Sequence, residues 1–404
     1  MDIFTKAFNY DTAKKAKAAG YYPYFHELTT KQDVVVNMEG KEVIMIGSNN
    51  YLGLTSHPEV IEASVLATKE YGTGVSGSRF LNGTLNLHIE LEKKLANFLG
   101  KEDATIFSTG YQANLGFISA IAGRNDIIFS DKENHASIYD GIKLSYAEMV
   151  RYNHNDMVDL EEKLKKADPK KGKLIVTDGV FSMGGDLCDL PELVRLSKKY
   201  NARLMVDDAH GLGVMGETGR GTGEHFGLMD EIDIIMSTFS KSLASSGGFI
   251  AGKKDVIDYI RHHSRPYIFN AAIPPANTAS AMKALEILER EPERVTNLRE
   301  VANYMRSELK ARGLEVKDSI TPIIPIYTYT PVRTMVACNI LFEHGVYVNP
   351  VLPPATSPGE CLIRTSYMTT HTKELLDKAI KVIAKVLSEL PSEEELTKWE
   401  KLLL

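Results

Sequence analysis

Six short runs rich in β-formers recur through the middle of the chain, and stretches of helical periodicity separate several of them. The runs are Ala104-Phe107, Asp126-Ser130, Lys173-Thr177, Arg203-Val206, Ile232-Ser237 and Gly248-Ala251; Leu160-Lys166 and Leu190-Tyr200 read as helix. Strand, helix, strand in this rhythm predicts a largely parallel sheet covered by helices, an α/β fold. Ahead of it, Ser56-His57-Pro58-Glu59 has capping-box spacing with Pro at an early helical position, predicting a helix to about Tyr71 that stops at Gly72.

After Pro274-Pro275 the texture changes. Ala276 to Arg312 reads as long amphipathic helix broken near Glu291-Pro292. Strands follow at Thr321-Tyr329, Val346-Val351 and Leu362-Ser366, then a helix over Thr372-Leu390. The expected division is an N-terminal arm and hairpin over 1–45, a large domain over 46–285 and a smaller α+β domain over 286–404.

With 47 basic and 53 acidic residues among 404, the net charge of −6 argues against a nucleic-acid binder. No apolar run reaches the roughly 18 residues of a membrane span, and the start, MDIFTKAFNYDTAKKAKAAG, is too charged for a secretion signal. Three cysteines without CxxC spacing, Cys188, Cys338 and Cys361, favour neither a disulfide framework nor a zinc site, and a reducing cytoplasm is the expectation. The end, Trp399-Glu400-Lys401-Leu402-Leu403-Leu404, allows at most a peripheral membrane contact; docking on its own domain is expected.

Gly72, Gly74 and Gly77 satisfy GxGxxG but follow a polar helix instead of a buried strand, so a dinucleotide site is rejected. Four other segments carry chemistry. Strand Arg203-Val206 runs into Asp207-Asp208-Ala209-His210-Gly211, where α/β folds bind ligands. Ile232-Ser237 runs into Thr238-Phe239-Ser240-Lys241, hydroxyls three before and one before a lysine. Such hydroxyls hold a phosphate while the amine reaches a carbonyl, the arrangement that pyridoxal phosphate requires; a solvated lysine in a turn is the plainer alternative. Ser108-Thr109-Gly110-Tyr111 opens a helix whose amides suit a phosphate, or is a simple N-cap. His135 follows another strand, where a flat ring can stack on a cofactor or serve packing alone.

Together with SNNYLGL at Ser48-Leu54, GSRFLNGT at Gly77-Thr84, STGYQAN at Ser108-Asn114, VFSMGGD at Val180-Asp186, VDDAHG at Val206-Gly211 and TFSKSL at Thr238-Leu243, these segments mark a family. From about Tyr21 to Leu387 the chain resembles the α-oxoamine synthases, fold-type-I pyridoxal phosphate enzymes that join an amino acid to an acyl-CoA. Within that family, Tyr152-Asn153-His154-Asn155-Asp156, the Pro353-Pro354-Ala355-Thr356 loop and Arg364 are most similar to the bacterial serine palmitoyltransferases. The resemblance implies an aspartate-aminotransferase-like fold, a homodimer, pyridoxal 5'-phosphate as cofactor, and decarboxylating condensation of L-serine with a long-chain acyl-CoA.

It also implies roles. Lys241 is the lysine that carries the cofactor; Asp207 pairs with the pyridine nitrogen; His210 and Ser182 address the ring hydroxyl; His135 stacks on the ring. Backbone at Gly110 and Tyr111, with Thr238 and Ser240, holds the phosphate, while Asn49, His154 and Arg364 meet the amino acid. Residue types alone do not choose between Asp207 and Asp208; the family pattern chooses Asp207. Two departures stand out: Leu352 replaces an arginine before the PPAT loop, and Asn270-Ala271 replaces the Ser-Thr expected to reach the partner subunit's phosphate. The alternatives are another reaction of the family, on glycine or alanine with a shorter acyl thioester, and a pyridoxal phosphate transaminase.

Overall fold

The protein is described from a computed structural model, which covers residues 2–391 together with 395 and 396. A hairpin of β1 (Val35–Met38) and β2 (Lys41–Met45) opens the sheet structure. The central sheet holds β3 (Asp103–Phe107), β4 (Asp126–Asp131), β5 (Glu148–Tyr152), β6 (Gly172–Asp178), β7 (Arg203–Asp207), β8 (Ile234–Thr238) and β9 (Gly248–Gly252). Their order is β3-β9-β8-β7-β6-β4-β5. Neighbours from β8 to β5 run parallel, and β9 runs antiparallel to both β3 and β8.

All six expected central runs are strands of this sheet, each within two residues of the expected bounds. Its seventh strand, β5, escaped the sequence reading. It lies at the edge, where Glu148 and Arg151 keep charge on an otherwise unpaired border and mask the apolar pattern. Successive residues of the inner strands face opposite sides. Phe129, Ile175, Leu204 and Val206 enter one core, and Ile128, Val176 and Met205 the other. Helix Leu190–Lys199 shows why the covering helices form: Asp189 caps it by accepting from Glu192 N–H at 3.3 Å. Its Leu193 and Leu196 are buried against the sheet, each contributing about 2 kcal/mol of transfer free energy. Leu193→Ala would cost about 3 kcal/mol through the cavity it leaves.

Helix Pro58–Tyr71 begins and ends as expected, with Gly72 at φ +80°, but no capping box forms. His57 holds the N-cap position, and the Ser56 hydroxyl donates instead to Asp33 Oδ2 at 2.9 Å, tying the helix to the hairpin. The later helical stretch is two helices, Pro275–Arg290 and Glu293–Ala311, broken at the expected proline. In the C-terminal part, β10 (Ile323–Tyr329), β12 (Asn349–Val351) and β13 (Cys361–Ser366) form one antiparallel sheet. β11 (Val346–Tyr347) pairs in parallel with β2, so the stretch Val346-Val351, expected as one strand, divides between two sheets. Ile324, Ile326, Ile363 and Ile380 form a separate core with Ile46. All three cysteines are buried. Among the described residues no helix is long and apolar enough to cross a membrane; the segment ending in Leu404 lies outside them.

Candidate active site

The C-terminal ends of β6, β7 and β8 meet the first residue of β9, because β9 runs the other way: Thr238 is opposite Gly248, and Asp178 opposite Asp207. A cavity of about 290 Å³ opens there. Gly110, Tyr111, His135, Ser182, Asp207, His210, Thr238, Ser240 and Lys241 all line it. Asn49, His154 and Arg364 do not.

One wall is the start of helix Gly110–Ile121, capped by Thr109, whose hydroxyl accepts from Gln112 N–H at 3.1 Å. The Gly110 and Tyr111 amides belong to the first turn and have no helical acceptor of their own. Glycine is required: a Cβ on Gly110 would lie 2.8 Å from Thr238 Oγ1, and one on Gly248 would lie 2.5 Å from the Gly110 Cα. Thr238 Oγ1 lies 2.9 Å from Ser240 Oγ and donates to Gly247 O at 3.0 Å. Two amides at a helix start and two hydroxyls thus converge where the dipole favours an anion.

Asp207 and Asp208 are resolved by their surroundings. Asp207 opens on the cavity, its Oδ2 accepting from Asn114 Nδ2 at 2.7 Å and its Oδ1 from Ala209 N–H at 3.0 Å. Asp208 points away and accepts from Thr222 N–H at 2.7 Å and the Thr222 hydroxyl at 2.5 Å. Burial pushes Asp208 up to about 6. Across the cavity, burial holds the Lys241 amine down at about 8, with Asp207 pulling it up and Arg364 pushing it down. A lysine of that kind carries enough free amine near neutral pH to act as base or nucleophile. His135 is the N-cap of helix Ala136–Ser145 and its Nδ1 lies 2.7 Å from Ser137 Oγ. Burial keeps His135 below its ordinary value, and keeps His210 well below. The open side of the cavity is bounded by exposed Tyr111, whose ring meets His135 edge-on at 6.2 Å.

Beyond the cavity, Arg364 on β13 donates from Nε to Ser182 O at 2.6 Å and from Nη2 to Asn49 Oδ1 at 3.0 Å and Tyr51 OH at 3.3 Å. The Tyr51 hydroxyl lies 2.8 Å from His210 Nδ1, so one chain of contacts joins Asn49 and Arg364 to the cavity. His154 stands apart. Its Nδ1 faces Asp131 at 3.1 Å and its Nε2 faces Asp186 at 2.7 Å. Burial alone would lower His154, but those two hydrogen bonds outweigh it and hold the imidazolium up to about 10. Asn270 Nδ2 donates to Ser108 Oγ and Gln112 Oε1, both at 3.0 Å, beneath its own chain's helix start.

Sequence reasoning missed three residues. Asp178 lines the cavity beside Asp207, and burial, with the Asp207 charge, raises it well above the carboxylate range. It ends β6 as Asp207 ends β7, and that parallel was the available signal. Tyr51 and Asn114 lie inside quoted motifs, where nothing local distinguishes them from core residues.

The aminotransferase class I and II family model matches residues 41–383, and the chain belongs to that family. It is 51% identical over 385 residues to the serine palmitoyltransferase of Bacteroides thetaiotaomicron, covering 95% of this chain and 98% of the relative. It is 50% identical to that of Sphingobacterium spiritivorum, covering 94% and 96%. A solved serine palmitoyltransferase, with pyridoxal phosphate as the internal aldimine, superposes with a TM-score of 0.92 at 35% identity, covering 96% of this chain and 98% of that one. The α/β, aminotransferase-like fold follows, and the cofactor of this family is pyridoxal 5'-phosphate. The cavity fits that group: an anion cradle that only glycine permits, a carboxylate held for a ring nitrogen, and a lysine with a lowered pKa lie on one wall-to-wall surface.

Proposed function

We propose that the protein condenses L-serine with a long-chain acyl-CoA, palmitoyl-CoA by preference, releasing CoA and carbon dioxide and giving 3-ketodihydrosphingosine. The observation that carries this reading is the convergence of Lys241, Asp207 and His135 on one cavity in a chain half identical to serine palmitoyltransferases. Pyridoxal phosphate, when bound, supplies an electron sink for the α-carbon of the amino acid. Gly110, Tyr111, Thr238 and Ser240 would hold its phosphate, and Lys241 its carbonyl carbon. Asp207, fixed by Asn114 and the Ala209 amide, keeps a proton on the ring nitrogen. His135 would cover the ring, and His210 with Ser182 would address its hydroxyl.

Arg364 and Asn49 receive the serine carboxylate. Four of the Arg364 contacts are already made within the protein, so a two-pronged grip on that carboxylate displaces Asn49 Oδ1 or the Tyr51 hydroxyl from Nη2. His154 supports the same side of the site through Asp186 and the turn behind Ser182. The Lys241 amine removes the α-proton. A carbon–carbon bond then forms between the serine α-carbon and the thioester carbonyl as the CoA thiol leaves. The carboxylate departs as carbon dioxide, and Lys241 returns a proton to the same carbon. The working unit is a cytoplasmic homodimer that covers the open side beside Tyr111.

The test is CoA release by purified protein, crossing serine, glycine and alanine against acetyl-, pimeloyl- and palmitoyl-CoA. Serine with palmitoyl-CoA should be fastest. A maximum with glycine and acetyl-CoA, or with alanine and pimeloyl-CoA, would move the enzyme to another branch.

A further inference from the structure

Asn114 is almost wholly buried on helix Gly110–Ile121, and anchoring Asp207 uses only one of its two side-chain N–H groups. Its Nδ2 donates to Asp207 Oδ2 at 2.7 Å and to Ser137 Oγ at 2.8 Å. The orientation follows from chemistry: an ionised carboxylate only accepts, so the amide nitrogen must face Asp207. The amide oxygen has no partner. A buried carbonyl without a donor is unfavourable, and an apolar side chain would avoid it. Packing alone therefore does not explain an asparagine here; its two N–H groups do.

The second N–H sets off a directed chain. Ser137 Oγ accepts from Asn114, so its single proton is free to point at His135 Nδ1, 2.7 Å away. The Ser137 amide adds a donor to the same nitrogen at 3.3 Å. His135 Nδ1 is thereby an acceptor, and the ring proton sits on Nε2. The charged and titratable groups facing His135 are Asp207, Lys241, His210, Tyr111, whose ring meets it edge-on, and Asp178, whose Oδ1 lies 3.5 Å from the His135 amide.

We infer that Asn114 is a positioning residue: one side-chain amide fixes the carboxylate of Asp207 and, through Ser137, the tautomer of His135, so that the two groups flanking the cofactor ring are set together. The inference rests on the proposed reading of this site and deepens it. It explains why a helix whose first turn serves the phosphate carries, one turn on, a polar side chain pointed at the far end of the ring.

The experiment uses holoenzyme labelled with ¹⁵N on histidine, with His135→Gln to identify one ring among the 11 histidines. In the unmodified protein at pH 7 His135 should show a bare Nδ1 and a protonated Nε2. Asn114→Leu and Ser137→Ala should each shift proton density onto Nδ1. Asn114→Leu, which also frees Asp207, should lower kcat about ten- to a hundred-fold with KM for serine nearly constant, the scale of one lost hydrogen bond to a charged group. A proton on Nδ1 of the unmodified protein overturns the inference, and does so even if Asn114→Leu fails to fold. So does an Asn114→Leu protein with unchanged His135 signals and unchanged kcat. Failure of the unmodified enzyme to release CoA from serine and palmitoyl-CoA would sink the proposed reaction alone, since the ring signals are read independently of turnover.

Discussion

Asp207 and Asp208 are sequence neighbours with opposite allegiances: the first is anchored to Asn114 at 2.7 Å at the cavity, the second to Thr222 at 2.7 Å behind it. Asp207→Asn should therefore reduce kcat by about 10²–10³, because an amide cannot keep the ring nitrogen protonated. Asp208→Asn should leave kcat within a few-fold. Burial raises Asp208 to about 6, so its charged form is disfavoured by the fold; stability falls as pH rises from the ordinary carboxyl range through about 6. Melting curves of Asp208→Asn between pH 4 and 7 should lack that fall. A crippled Asp208→Asn beside a healthy Asp207→Asn would reverse the assignment.

Borohydride reduction of the cofactor-loaded protein should leave the cofactor covalently on the peptide carrying Lys241. Labelling of any other lysine would remove the proposed site. Lys241→Ala should still bind the cofactor but lose turnover by at least about 10²–10⁴, the span of general acid–base catalysis. Burial holds the amine at about 8, so the stripped protein should recapture cofactor faster as pH rises through that value, followed by visible absorbance.

The ion pairs around His154 predict a pH-dependent stability. Asp131 and Asp186 hold the imidazolium up to about 10, above its ordinary range. That stabilisation is complete below the unfolded pKa of about 6.5 and is lost as pH rises through about 10. His154→Gln should flatten the fall in melting temperature between pH 7 and 10. His154→Ala, which strips a partner from nearly buried Asp131, should cost about 3 kcal/mol. A direct role toward the serine carboxylate would appear instead as a raised KM for serine at a pH where the variant is fully folded.

Tyr51→Phe removes the hydroxyl between His210 and Arg364. Both partners are buried, so the loss should cost about 1–2 kcal/mol of stability. KM for serine should rise as Arg364 loses its orientation. An unchanged KM would mean that the hydroxyl serves packing alone.

The sheet was legible because parallel strands with buried faces leave near-continuous apolar runs, and Ile234-Ile235-Met236 in the fully buried strand Ile234–Thr238 is such a run. The edge strand Glu148–Tyr152 was not, because charge there is compatible with pairing on one side only. Ser56 misled for a different reason: its hydroxyl had a distant competitor, Asp33, that no local pattern announces. In the site, Lys241 and Asp207 stood out because charge directly after a buried strand is unusual. Asn114 and Tyr51 did not, since their meaning lies in contacts 93 and 159 residues away along the chain.

The cavity and the arginine beyond it are supplied at different times during synthesis. The cavity lining is drawn from residues 109 to 247, whereas Arg364 comes from β13. During synthesis Arg364 leaves the ribosome roughly 120 residues after Lys241, about 6–25 s later at ordinary elongation rates. A nascent chain therefore holds every group proposed to capture the cofactor before it holds the cation proposed to receive the substrate carboxylate. Chains stalled after residue 300 and supplied with cofactor would bind it while remaining indifferent to serine.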